Sequence, residues 1–268
     1  MALEPVEPRQ RPDLSDKAAA APKSLPKGDE LKEKLEKVLK RLGDLQAVFN
    51  ADARHALLIV LQGRDASGKD GVLRTVVSAA NPAGVRVHSF KVPTPNELAH
   101  DYLWRIHQVV PEKGTMGIFN RSHYEDVLVV RVHELVPRSV WSKRYQQINE
   151  FERMLSENGT IILKFFLHVS RDEQRERLLE RVEDETKNWK FNAGDLDERA
   201  LWDEYSLAYE DALSKCSTKW APWYVVPADS NKARNYLIAK TIVEKLEELD
   251  LRYPEPKTDL TQYLKALK

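Results

Sequence analysis

Apolar positions recur along this chain in two periods, and the alternation between them orders its elements. Leu31, Leu35, Val38, Leu39, Leu42, Leu45 and Phe49 fall at helical spacing on one face, which predicts a long amphipathic helix. Lys32, Lys34, Lys37, Lys40 and Arg41 lie off that face. They are either a solvated surface balanced by Glu33 and Glu36 or a track for a polyanion. The run Ala56 to Leu61 is continuously apolar and reads as a buried strand. Gly71 to Ala80 should be the next helix, Val85 to Phe90 a second strand entered through the Asn81-Pro82 break, and about Asn96 to Val109 a further helix. Gly117, Ile118 and Phe119 make a short buried strand, Thr160 to Val169 a longer one and Trp223 to Val226 the last, before a closing helix from about Lys232 to Leu249. Strand alternating with helix predicts an α/β fold with a parallel sheet covered on both faces.

Two segments break the pattern. Residues 1–26 are rich in Pro, Ala and charge without periodic hydrophobicity, which predicts a mobile arm before a single domain over residues 27–268. Arg171 to Arg199 carries Arg175, Arg177, Arg181, Lys187 and Lys190 among many acids, with a break at Gly194. That region, about residues 171–205, is either a lid that closes basic side chains over phosphates or a salt-bridged pair of surface helices.

The chain has 268 residues, of which 42% are hydrophobic, enough for one substantial core. Acidic and basic residues balance at 42 each, so no global charge points to nucleic acid or an anionic membrane. Any polyanion site must be a local patch. Cys216 is the only cysteine, which excludes an internal disulfide framework and a multi-thiolate metal site and fits a reduced cytoplasm. No stretch has the apolar length of a membrane span, and the first residues have no secretion-signal pattern.

The chemistry is concentrated after the first strand, where the sequence reads GRDASGKDG from Gly63 to Gly71. Gly63, four residues, Gly68 and Lys69 match a phosphate-binding loop, in which successive N–H groups and the start of the following helix face an anion. The common motif continues with Ser or Thr on magnesium. Here Asp70 takes that place, so metal binding falls to Ser67, to Asp70 or to another residue. Asp65 is a further oddity, because a carboxylate about 4 Å from a phosphate oxygen is repelled by roughly 1 kcal/mol even in water. It either binds a metal that bridges phosphates, orients the acceptor, or caps the loop backbone. A second polar cluster, Asn120, Arg121, Ser122, His123, Tyr124, Glu125 and Asp126, comes after the Gly117–Phe119 strand at the sheet edge where open parallel sheets bind ligands.

These motifs, with HSFKVPTPNELAHDYLWRIH at 88–107, FNRSHYED at 119–126, WKF at 189–191 and APWYVVPAD at 221–229, resemble the polyphosphate kinase 2 family from about Leu25 to Leu249. The resemblance implies a P-loop kinase fold of the thymidylate-kinase type with a helical lid. It also implies transfer of the terminal phosphoryl group of inorganic polyphosphate to a nucleotide with Mg²⁺, or Mn²⁺ in its place. By the same likeness Gly63, Gly68, Lys69 and Gly71 hold phosphates, with Ala66 and Ser67 inside that loop, and Asp65 handles metal or acceptor. Arg121 clamps the transferring phosphate. Asp65 and Asp70 are the metal candidates, and Arg177 and Arg181 are the lid bases expected on the phosphates. A long donor needs a basic channel, for which Lys91, Arg105 and the lysines at 32–40 are candidates. Many members have Asp where this chain has Asn120; the segment is similar to the subgroup that accepts AMP as well as ADP, which places Asn120 and Glu125 near the acceptor nucleotide or its metal. Glu125 and Asp126 have the alternative of anchoring the next helix or pairing with Arg131.

The expected activity is therefore reversible phosphoryl transfer between polyphosphate and AMP or ADP, giving ADP and ATP. The alternatives are an ADP-only polyphosphate kinase, an ATP-dependent nucleoside or nucleotide kinase, and a binding module without turnover. A homo-oligomer is expected by resemblance alone; Trp141, Tyr145 and Trp202 are expected either in a subunit interface or packed inside.

Overall fold

Five strands, Ala56–Gln62 (β1), Val85–Ser89 (β2), Met116–Asn120 (β3), Thr160–His168 (β4) and Trp223–Pro227 (β5), form one parallel sheet in the order β2-β3-β1-β4-β5. The computed structural model describes residues 2–267, so Met1 of the expected arm and Lys268 of the expected domain lie outside it. Each strand ends within one residue of the span its apolar run predicts. β1 is buried at every position, because both faces of the sheet are covered. Leu57, Ile59 and Leu61 point into one core and Leu58 and Val60 into the other.

Among the described residues, eight helices of seven residues or more accompany the sheet: Gly28–Asp52 (α1), Lys69–Thr75 (α2), Arg138–Glu157 (α3), Arg171–Glu183 (α4), Gly194–Ala200 (α5), Trp202–Cys216 (α6), Asn231–Glu247 (α7) and Thr261–Leu267 (α8). The apolar stripe of α1 meets α2 and α7 on one face, with Phe49, Val72, Ile238 and Ile242 in that core. α3 and α6 supply Ile148, Phe151, Tyr209 and Leu213 to the other. Each such fully buried side chain contributes about 1.5–3 kcal/mol of transfer free energy. α1 ends where Ala53 turns left-handed (φ 50°) and its N–H caps the Phe49 carbonyl.

The helix expected over Asn96–Val109 is instead two single turns, Pro95–Leu98 and Trp104–His107. Thr94 and Glu97 close a capping box on the first. Asp101 separates it from the second, because its carboxylate accepts the Leu103 N–H at 2.9 Å in place of a helical carbonyl. The helix expected over Gly71–Ala80 stops at Thr75 and continues as a 3-10 turn, Val77–Ala79.

The N-terminal segment, expected as a mobile arm, is laid against the sheet and its flanking helices. Val6 N donates to Trp223 O and Arg9 N to Ser214 O, each at 2.8 Å. Asp229 N donates to the carbonyl of buried Ala19. The lid region comprises α4, a 3-10 turn at Asn188–Lys190 and α5, while Trp202 and Tyr205 at its expected end are buried in α6. Tyr145 is buried and accepts a hydrogen bond from Arg131; Trp141 is half-buried beside it.

Candidate active site

The chain leaves β1 at the carboxyl edge of the sheet, between β3 and β4, and turns through Gly63 to Gly68 before α2. The glycine spacing has a steric cause. A Cβ on Gly63 would lie 2.8 Å from the Leu167 carbonyl oxygen. Gly68 has φ +97° and Gly71 is helical, yet a Cβ on either would strike the guanidinium of Arg234, at 1.9 Å from Nη1 and 2.6 Å from Nη2 respectively. Arg234, near the start of α7, is buried against the loop, where it donates to Asn231 Oδ1 at 2.6 Å and to Asn235 Oδ1 at 2.9 Å. No motif in the sequence marks it. Burial, then the nearby Arg177 and Arg74, lower its pKa to about 10.

Lys69 folds back over the loop, its Nζ donating to Gly63 O at 2.6 Å and Arg64 O at 3.1 Å. Burial, and secondarily the Arg121 charge, lower its pKa to about 8. The partner that Asp65 requires is Arg121, whose Nη2 donates to Asp65 Oδ1 at 2.8 Å. Arg121 leaves β3 with a left-handed φ of +62°, at a cost of about 1–2 kcal/mol for a residue with a Cβ. Its N–H is tied to Leu61 O at 3.0 Å. Glu125 lies 3.6 Å from the other side of the guanidinium, and burial raises its pKa.

From the lid side, α4 grips the loop backbone. Gln174 donates to Asp65 O at 2.9 Å, and Arg177 donates to Ala66 O at 2.9 Å and Ala228 O at 2.7 Å. Two cavities meet at the Asp65–Arg121 pair, which lines both. The larger, about 700 Å³, has eight basic residues on its wall, Lys69, Arg74, Arg121, Arg177, Arg181, Lys187, Lys190 and Arg234, against three acidic ones. The smaller, about 330 Å³, has Leu128, Val129, Trp202, Tyr205 and Tyr209 on its wall with Glu125, Glu198 and Arg64. Arg64 stacks on Trp202 at 4.0 Å, held there by Ser206 Oγ at 2.6 Å.

The sequence profile of the polyphosphate kinase 2 family matches residues 26–254. The chain belongs to this family. Among its relatives is the AMP/ADP-polyphosphate phosphotransferase of Meiothermus ruber, 59% identical over 219 residues that cover 82% of each chain. The ADP-polyphosphate phosphotransferase of Rhodopseudomonas palustris is 49% identical and covers 81% of this chain and 79% of its own. The crystal structure of polyphosphate kinase 2 from Arthrobacter aurescens superposes with a TM-score of 0.87 at 36% identity, covering 99% of this chain and 98% of that one.

Within this polyphosphate kinase 2 member the structure sorts the expected residues. Gly63, Asp65, Ala66, Gly68, Lys69, Asp70, Gly71, Arg121, Arg177 and Arg181 line one or both cavities. Ser67 does not: it is fully buried under the loop, its Oγ 2.7 Å from where a Cβ on Gly63 would be. Arg181 is tethered to Asp195 at 2.8 Å. Asn120 and Glu125, expected together, face different cavities, Asn120 the basic one and Glu125 the aromatic one. Asp126 pairs with Arg144 and Arg131 with Asp211, so neither carboxylate of the pair 125–126 meets Arg131. Lys91, Arg105 and the α1 bases line neither cavity. Arg105 is buried, its guanidinium held by the Lys91 carbonyl at 2.9 Å and set over the Phe90 ring. The basic surface around the loop comes instead from α2, α7 and the lid.

For a divalent cation, no cluster of three His, Cys, Asp or Glu side chains exists among the described residues. Asp70 is exposed on the cavity wall, and beside it Asn120 Oδ1 is buried without a hydrogen-bond partner while Asn120 Nδ2 lies 3.4 Å from Asp70 Oδ1. That contact turns the amide N–H toward Asp70 and Oδ1 away from it; with the amide turned over, Asp70 and Asn120 Oδ1 would offer two hard oxygen donors to a cation that takes its remaining ligands from phosphate and water. Asp65, the other carboxylate expected on a metal, has its Oδ1 paired with Arg121.

Proposed function

We propose that this chain transfers the terminal phosphoryl group of inorganic polyphosphate to AMP and to ADP, giving ADP and ATP, in both directions and with a divalent cation, Mg²⁺ or Mn²⁺. The observation that carries this reading is the junction of two unlike cavities at Asp65 and Arg121. A polyanionic donor suits the basic cavity, and the flat aromatic base of a nucleotide suits the one walled by Trp202, Tyr205 and Tyr209. The group in transit then passes Arg121, which both share.

Phosphoryl transfer needs positive charge on the equatorial oxygens and alignment of donor with acceptor more than covalent help. Lys69 would exchange the Gly63 and Arg64 carbonyls for donor phosphate, and Arg121 would follow the phosphoryl group across the junction. Asp65 sets the resting direction of Arg121 and faces the acceptor. Asp70, with Asn120 Oδ1 once its amide is turned over, would hold a divalent cation, which would supply positive charge against that of the phosphates. Glu125, next to Arg121 on the acceptor side, would meet the nucleotide. No helix among the described residues is long and apolar enough to cross a membrane. A cytoplasmic homo-oligomer is the setting this reading favours, from the lone thiol and the family likeness.

The test is to incubate the purified protein with Mg²⁺ and long-chain polyphosphate, supply AMP or ADP separately, and resolve the nucleotides over time. ADP from AMP and ATP from ADP are expected, and Asp65→Asn should lower both rates by about 10²-fold or more. Product from ADP alone would remove AMP from the proposal; product from neither, with phosphorylation by ATP instead, would overturn it.

A further inference from the structure

Beneath the turn that carries Arg121 lies a polar cluster that no substrate can reach. Lys164 on β4, Glu152 on α3, His123 and Tyr124 are all fully buried. Lys164 Nζ donates to Glu152 Oε2 at 2.5 Å, to the Tyr124 hydroxyl at 2.7 Å and to Cys216 O at 2.7 Å, which uses all three of its protons. The Tyr124 hydroxyl donates onward to Glu152 Oε1 at 2.9 Å, and His123 Nε2 lies 3.1 Å from the same oxygen. The ammonium and the phenol are thus both saturated.

A buried ion pair is in general a weak source of stability, since apolar side chains of matching volume often serve as well or better. What it supplies is direction. His123 and Tyr124 come directly after Arg121 and Ser122 in the chain, and Arg121 carries the left-handed backbone. Ahead of the turn, β1 holds it through Leu61 O to Arg121 N and through Gln62 Nε2 to Ser122 Oγ at 3.1 Å. Behind it, the cluster fixes the two rings to β4, α3 and the end of α6. With both sides anchored, the backbone from which the Arg121 side chain leaves is held in place, and that side chain reaches Asp65 with Glu125 on its other side.

We propose that Glu152 and Lys164, acting through the Tyr124 hydroxyl and the His123 ring, are positioning residues that set the direction from which Arg121 reaches the phosphoryl group. The inference rests on the proposed role of Arg121 in transfer.

Tyr124→Phe removes only the shared hydroxyl. The kcat for ADP formation from AMP and polyphosphate should fall about tenfold to a hundredfold, as a misplacement of about 1 Å in a catalytic group does. KM for both substrates should stay within about twofold, because the interaction lost is one made in the transition state. On an Arg121→Ala background the same substitution should have no further effect on kcat. Should Tyr124→Phe not fold, Lys164→Met with Glu152→Leu removes both charges at similar volume and takes its place in the same cycle. A merely structural cluster would change melting temperature and leave kcat per folded molecule untouched; that result overturns the proposal, as does an equal loss of kcat with and without Arg121. Wild-type turnover in Arg121→Ala would instead remove the reading of Arg121, and the proposal with it.

Discussion

Gly68→Ala tests whether the loop's glycines answer to Arg234. The added methyl would stand 1.9 Å from Nη1, and the backbone would have to keep φ +97° with a Cβ present. The second effect alone costs roughly 1–2 kcal/mol. The first cannot be relieved by a free swing of the guanidinium, because Arg234 is buried and bound to Asn231 and Asn235. Giving up one such charged hydrogen bond costs about 1.5–3 kcal/mol. Together, about 2.5–5 kcal/mol should appear in equilibrium urea unfolding of the variant. The control is the same substitution on Arg234→Ala, where the object of the collision is gone and only the backbone strain of roughly 1–2 kcal/mol remains. Equal penalties in the two backgrounds would refute the reasoning. Gly71→Ala should be milder, since its Cβ lies 2.6 Å from Nη2 and the position is helical, where Ala is favoured over Gly by about 1 kcal/mol.

The same geometry sets three further outcomes. Phosphate entering the loop should raise the Lys69 pKa from about 8, so donor affinity is full below that value and falls as pH rises through it, by up to about tenfold per pH unit; KM for polyphosphate measured from pH 7 to 10 should show the rise, Lys69→Arg should flatten it, and a flat wild-type profile would count against the free-state value. Replacing Lys187 and Lys190, which line the basic cavity from the lid, by Ala should raise KM for long polyphosphate more than for tripolyphosphate; an equal change at every chain length would argue that they touch only the terminal phosphates. Burial pushes the Cys216 thiol up to about 12, so thiol reagents should label the native chain no faster than it unfolds, and rapid stoichiometric labelling without denaturant would contradict its burial.

The strands were legible because each is a short apolar run closed by a turn signal, and the phosphate loop because its glycines and lysine are contiguous. The misses are tertiary. The Asn96–Val109 periodicity gave no warning that Asp101 would take a backbone N–H for itself. α3 and α6 passed unremarked, although Tyr145, Ile148, Phe151 and Leu155 recur at three- and four-residue steps, because charges interleave them. Arg105 reads as a channel base in sequence but is absorbed by Phe90 and the Lys91 carbonyl. Arg234 is a single arginine in a closing helix; only the fold brings it under Gly68.

Asn120 and Glu125 are five positions apart, yet the left-handed step at Arg121 and the 3-10 turn at His123–Val127 deliver them to different cavities. That separation explains how a chain with 42 acidic and 42 basic residues can bind two polyanions. The positive charge is gathered in the larger cavity, where eight bases outnumber three acids. The junction itself carries no excess of positive charge, because two acids, Asp65 and Glu125, flank the one base, Arg121. A phosphate leaving the basic cavity therefore meets no further net attraction beyond Arg121. A polyanion channel continued across the junction would hold donor and product alike; in the proposed reaction, a junction without excess positive charge would let the acceptor's own phosphate compete for Arg121, the base that lines both cavities, and would make it the point at which transfer is decided.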